Sequence, residues 1–78
     1  MRRICVELND GGNPVAGASV KATDCGDLET AANGQAWFLI DADPFTVTVN
    51  GADVYSSGLE ASPEVIKLGK DGGGWKAA

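Results

Sequence analysis

Apolar and polar residues alternate with a period of two along most of this chain, which is the pattern of a half-buried β-strand. In residues 45–49, for example, a phenylalanine and two valines alternate with two threonines. No segment keeps the apolar period of an α-helix for three turns. The pattern therefore predicts strands over residues 3–8, 18–23, 28–30, 35–41, 45–49, 53–55 and 64–68.

Glycine, proline, asparagine and aspartate separate these runs and predict the turns between them. Turn signals recur about every 8–12 residues, which is the spacing typical of a β-sandwich. Asn33-Gly34 is a strong hairpin signal, because both central positions of a type I′ turn need a positive φ. Asn50-Gly51 carries the same signal between the fifth and sixth of the predicted strands.

The predicted fold class is all-β, in the form of a small antiparallel sandwich of roughly six or seven strands. A chain of 78 residues has the size of one domain. We assign residues 1–69 to the sandwich and residues 70–78 to a Gly-rich C-terminal tail. The inward positions of the strands predict a core that contains Val6, Val20, Phe38, Val47 and Val49.

Charge and composition exclude several classes of function. The net charge of −5 gives an acidic surface, which disfavours nucleic acid as a partner. The chain has no histidine, so neither a serine triad nor a histidine-based zinc site can be assembled. We therefore expect a protein that is not an enzyme, with no catalytic residues, no cofactor and no metal.

Two groups of side chains nevertheless require a second interpretation. Cys5 and Cys25 both fall on outward positions, so they could face each other across a hairpin and form a disulfide if oxidised. Two reduced thiols are the interpretation that a cytosolic chain favours. Carboxylates also cluster on loops, where they could bind Ca²⁺, but aspartate is more typical there as a turn residue. These carboxylates are Asp24, Asp27, Glu29, Asp41 and Asp43.

The N-terminus predicts synthesis in the cytoplasm without a signal peptide. Met1-Arg2-Arg3 carries positive charge, but no apolar stretch of signal length follows it. No segment is long and apolar enough to predict a membrane span, so we expect no membrane association.

The turn and core residues resemble those of a known family. The order Gly-x-Pro-Val-x-Gly-Ala-x-Val from Gly12, then Thr-x-x-Asn-Gly-x-Ala-x-Phe from Thr30, then Phe45-Thr-Val-Thr-Val is similar to carboxypeptidase regulatory-like, or transthyretin-like, β-sandwich domains. Bacterial Ig-like modules share much of this pattern. The resemblance covers residues 4 to about 55, and it implies an accessory domain in adhesins, secreted enzymes, transporters, secretion machines or phage virions.

Two departures from related patterns limit what the resemblance implies. Hydroxyisourate hydrolases on a transthyretin-like fold depend on histidines and a Tyr-Arg-Gly-Ser end, and this chain has neither. Such accessory domains usually close the Val-x-Val strand with a Gly-Tyr corner. Here Tyr55 comes four residues after Gly51, so we expect a different arrangement of the late strands.

Three apolar residues are the predicted partner-binding site. Trp37 and Leu39 take outward positions on their strand, where they would form an exposed apolar patch. The alternative is that a late strand or the tail covers them. Trp75 lies in the predicted tail, where a large apolar side chain on a flexible segment suits an anchor that crosses to a neighbouring subunit. The alternative is that Trp75 folds back onto its own chain.

These expectations favour a non-enzymatic structural or assembly subunit that docks on larger proteins or on its own copies. Small size, acidic surface and absent signal peptide fit a virion component, such as a phage capsid decoration or tail protein. The alternative function is a carbohydrate- or ligand-binding accessory module of a secreted or surface protein, with Trp37 as a platform on which a sugar stacks.

Overall fold

The computed structural model describes residues 1–77, in which nine strands and no helix are present. Two of the strands, β2 and β4, are only two residues long. The strands are β1 (Arg2–Asp10), β2 (Asn13–Pro14), β3 (Ser19–Ala22), β4 (Leu28–Glu29), β5 (Gln35–Ile40), β6 (Phe45–Val49), β7 (Ala52–Ser57), β8 (Val65–Asp71) and β9 (Gly74–Ala77).

The strands form two sheets, which confirms the predicted all-β sandwich. In sheet A, β1 is central: β5 and β2 pair with one side of it, and β8 and then β9 follow on the other side. Sheet B has the order β4-β3-β6-β7. The inward positions of both sheets meet in one core, and all five of the predicted core residues are at most 3% exposed.

One pair of strands departs from the predicted antiparallel arrangement. β8 runs parallel to β1, with Val6 beside Ile66 and Leu8 beside Leu68. The chain leaves β7 in sheet B and returns through residues 58–64 to sheet A, and such a crossover makes a parallel pair possible. The side chain of Arg2 holds this crossover, because its Nη1 donates hydrogen bonds to the carbonyl oxygens of Leu59 and Ser62.

Three hairpins have type I′ turns, and among them only Asn50–Gly51 carries the hairpin signal read from the sequence. Each has two residues between its strands, and both have a positive φ, as a type I′ turn requires. The central pairs are Gly11–Gly12, Asn50–Gly51 and Gly72–Gly73.

The Asn33-Gly34 hairpin prediction was wrong. Only Gly34 has a positive φ, and the strands on either side of this turn belong to different sheets. Gly34 closes a turn by donating its N–H to the carbonyl oxygen of Ala31, and the chain then passes from sheet B to sheet A. Asn33-Gly34 does mark a turn. The type of that turn depends on whether the two flanking strands pair with each other or belong to different sheets.

The predicted tail is part of sheet A. Residues 70–77 complete β8 and form β9, which pairs antiparallel with β8 and places Trp75 opposite Lys70. The turn at Gly72–Gly73 returns the chain along β8, so the glycines form a hairpin and not a tether. Trp75 takes an inward position and packs, partly buried, against the core.

Removal of residues 72–78 is therefore expected to destabilise the sandwich. Removal of a flexible tail would leave its stability unchanged. The deletion removes β9 and the partly buried Trp75, and we expect a loss of roughly 1–3 kcal/mol in the free energy of unfolding, less than the range for fully buried tryptophan. Urea unfolding followed by circular dichroism measures this loss. Full-length stability in the truncated chain would show that β9 contributes nothing to the fold.

Candidate functional site

The outer face of sheet A carries most of the exposed large apolar side chains of residues 1–77. Trp37 is 40% exposed, Leu39 is 61% exposed and Met1 is 78% exposed. The antiparallel register of β1 and β5 places Arg3 opposite Leu39 and Cys5 opposite Trp37. We call the surface formed by Met1, Arg3, Trp37 and Leu39 the Trp37 surface.

Arg3 is bound to the tryptophan ring of this surface. Its guanidinium carbon lies 4.7 Å from the ring centroid of Trp37, which is a cation–π contact. This contact restricts the ring, so less conformational entropy is lost when a partner covers it. It also places a positive charge directly beside an exposed apolar group.

Cys5 lies under the Trp37 surface and is not accessible. Its neighbours across the sheet are Trp37 on β5 and Val65 on β8, and its exposed fraction is 0%. Burial, and then the charge of Glu7, raise the pKa of the Cys5 thiol. The possible bridge to Cys25 is absent: both cysteines are free, because Cys5 belongs to sheet A and Cys25 follows β3 of sheet B.

The free edge of β5 is covered at both ends. The Cys25 Sγ donates a hydrogen bond of 3.3 Å to the Leu39 carbonyl oxygen, and the Ala31 N–H donates one of 2.9 Å to the Gln35 carbonyl oxygen. Burial, and then the charge of Asp24, raise the pKa of Cys25, so the thiol keeps the proton that this bond needs. Covered edges do not add strands readily, so a partner would meet the face of β5.

A polar groove of about 420 Å³ lies beside the Trp37 surface on the same face. Gln35 Nε2 donates a 2.9 Å hydrogen bond to Glu7 Oε1, which turns this carboxylate towards β5. Lys67 is next to Glu7 in the register of β8, yet the two make no ion pair within 4.0 Å. Asn9 and Asn33 also line the groove, which therefore offers amides, a carboxylate and an ammonium group to a ligand.

The outer face of sheet A differs in charge from the rest of the molecule. Its outward positions carry three basic and two acidic residues: Arg3, Lys67, Lys76, Glu7 and Asp71. The chain has six basic and eleven acidic residues, so three basic and nine acidic residues lie elsewhere. The Trp37 surface is thus on a sheet face that is not acidic, in contrast to the remainder of the chain.

The three predicted site residues do not form one site. Trp37 and Leu39 are outward on adjacent positions of β5, as predicted, but Trp75 is inward on β9 and belongs to the core side of the sheet. Sequence reasoning missed Arg3 as a member of the surface. Its outward position on β1 could be read from the alternation, but its pairing with β5 could not.

The part of the chain that the structure describes holds no group of three or more Cys, Asp or Glu side chains placed to bind a metal ion. Of the acidic loop residues, Asp24, Asp27 and Glu29 lie in and around β4, and Asp41 and Asp43 lie between β5 and β6. Within the same residues, no helix is long and apolar enough to cross a membrane.

Comparison of the chain with protein-family models, with curated proteins and with solved structures finds no match. The resemblance to transthyretin-like domains therefore stays a prediction from turn and core residues.

Proposed function

We propose that this protein is a non-enzymatic assembly module that docks on a larger protein through the Trp37 surface. The observation that carries the proposal is an exposed tryptophan and leucine side by side on a sheet face, with Arg3 stacked on the tryptophan. Tryptophan and arginine are enriched among the few residues that contribute most of the binding energy of protein interfaces. Because hydrogen bonds cover both ends of the β5 edge, contact by its face is favoured over addition of a strand.

The chemistry of the side chains supports a role in binding. The chain has no histidine, and both of its thiols have a pKa raised by burial, which makes them weak nucleophiles at neutral pH. An active site would need a base beside a nucleophile, and no such pair lies on the Trp37 surface. The virion component predicted from the sequence is one specific form of this function.

Replacement of Trp37 by serine is expected to weaken docking roughly tenfold or more, as loss of a central interface tryptophan does. The measurement is co-sedimentation of the chain with large protein assemblies isolated from the organism or virus that encodes it. Lys21→Ala is the matched control, because Lys21 is exposed on the outer face of sheet B. Equal sedimentation of Trp37→Ser and the wild type would refute a docking role for this surface.

A carbohydrate-binding function is the second candidate, and the polar groove favours it. Its carboxylate, amides and ammonium group can accept from and donate to sugar hydroxyls, and Trp37 lies one outward position beyond Gln35 on β5. A protein with this function would bind glycans as a monomer. Substitution of Glu7 by glutamine should then reduce glycan binding, whereas docking on a protein through Trp37 and Leu39 should persist.

A further inference from the structure

A second exposed apolar residue lies outside the Trp37 surface. Leu28 on β4 is 42% exposed, and it completes the set of large apolar side chains that residues 1–77 leave open to solvent. Its chain neighbours Asp27 and Glu29 are exposed carboxylates, and Asp24 is exposed in the turn before them. β4 is an edge strand of sheet B, and its register with β3 places Leu28 on the inward side and Glu29 on the outward side of this edge. We call the edge that carries Asp24, Asp27, Leu28 and Glu29 the Leu28 surface.

The two surfaces are complementary in charge and alike in apolar content. The Trp37 surface combines tryptophan and leucine with the cation of Arg3 and with a Met1 ammonium that is paired with Asp41, whereas the Leu28 surface combines a leucine with three carboxylates. The one ion pair within 4.0 Å among the described residues joins the Met1 ammonium to Asp41. Within residues 1–77, the charges of Arg3, Asp27 and Glu29 are therefore not matched by an ion pair.

We propose that copies of this chain bind one another, with the Trp37 surface of one copy on the Leu28 surface of the next. The inference rests on the proposed docking role of the Trp37 surface and identifies a second copy of the chain as a partner. The acidic charge of the other surfaces opposes most contacts between copies, because like charges that meet at an interface are repelled. Contact of the Trp37 surface with the Leu28 surface brings opposite charges together around apolar side chains.

This contact is heterologous, since each copy contributes a different surface to it. A heterologous contact leaves one surface free at each end of a pair, so assembly continues until a ring closes or a filament forms. A standard interface buries about 800 Å² of accessible surface on each partner. The whole chain has an accessible surface of 4372 Å², so such an interface would cover about a fifth of it. Because the two surfaces are small, we expect assembly that depends on concentration and weakens as salt screens the charges.

The test uses two variants of the full chain, each of which disables one surface. Leu39→Ser changes the Trp37 surface, and Leu28→Ser changes the Leu28 surface. Both side chains are substantially exposed, so the fold should tolerate the changes. Size-exclusion chromatography with light scattering measures the molar mass over a concentration series. Circular dichroism of both variants verifies their folding. Ser56→Ala is the control, because Ser56 is exposed on β7, at the opposite edge of sheet B from β4.

We expect the wild type and Ser56→Ala to self-associate, and each of the two surface variants alone to remain a monomer. An equimolar mixture of the two variants should form a complex of two chains, because Leu28→Ser supplies the intact Trp37 surface and Leu39→Ser supplies the intact Leu28 surface. The mixed complex cannot grow further, since its two remaining surfaces are disabled. Its dissociation should increase with salt concentration.

Three results would overturn the inference: a wild type that stays monomeric at every concentration, self-association of Leu28→Ser alone, and a mixture of the variants that stays monomeric. Self-association of Leu28→Ser would show instead a contact between two Trp37 surfaces. A monomeric wild type that still co-sediments through Trp37 would refute self-assembly while leaving the proposed docking function intact. The docking function is refuted by a separate result, which is that Trp37→Ser co-sediments with the larger assembly as well as the wild type does.

Discussion

Replacement of Phe38 by alanine is expected to lower the free energy of unfolding by about 3–5 kcal/mol, the range for removal of a buried phenylalanine side chain. Phe38 is 3% exposed and lies on β5 opposite Ile4 of the central strand β1. The change opens a cavity where the two sheets meet, and the surrounding strands cannot close it without losing their register. A domain of this size has a stability of only about 5–15 kcal/mol, so the loss is a large fraction of the total.

Leu39→Ala on the same strand is the matched control for this prediction. Leu39 is the next residue along β5 and points to the opposite face, where it is 61% exposed. We expect a change of about 0.5 kcal/mol or less, as for most surface substitutions. Urea or thermal unfolding of both variants measures the difference. A larger effect from Leu39→Ala than from Phe38→Ala would mean that the assignment of inward and outward faces on β5 is wrong.

Replacement of Gly34 by alanine is expected to cost roughly 2–4 kcal/mol in the free energy of unfolding. Gly34 has a φ of +79°, and a Cβ atom built on it would lie 2.5 Å from the carbonyl oxygen of Leu8. That oxygen belongs to the backbone of β1 and accepts a hydrogen bond from Val15, so it cannot move freely. Gly34 also accepts a hydrogen bond from the Leu8 N–H, which holds the two segments at this close distance.

Gly51→Ala separates the steric clash from the conformational strain. Gly51 has a φ of +86°, but nothing lies within 4 Å of the Cβ position there. The Gly51→Ala variant should therefore lose only the free energy of unfolding that a positive φ costs an L-residue, about 1–2 kcal/mol. The difference in unfolding free energy between the two variants measures the effect of the close approach to β1. Equal losses at the two positions would show that the backbone near Leu8 relaxes to accept the methyl group.

The sequence predicted the part of the candidate site that lies on one strand, β5, but not the part that other strands contribute. Alternation along β5 placed Trp37 and Leu39 outward, and the structure finds both exposed. Arg3 was not predicted because its contact with Trp37 depends on the pairing of β1 with β5, which joins residues far apart in the chain, such as Arg3 with Leu39. The Leu28 surface was equally inaccessible to prediction, since Leu28 takes an inward position and is exposed only because β4 lies at the edge of its sheet.

The sequence by itself determined the fold class, the inward residues of each strand and most of the turns. The physical reason is that alternation and positive-φ turn residues act over two to four neighbouring positions. Only the tertiary structure decided which strands pair: the parallel neighbour of β1, the transition between sheets at Gly34, and the return of residues 74–77 along β8. Pairing is decided by contacts between distant segments, and the same alternation is compatible with many partners. Trp75 shows the consequence, because its chemistry suits an anchor or a core residue equally, and β9 made it part of the core side of sheet A.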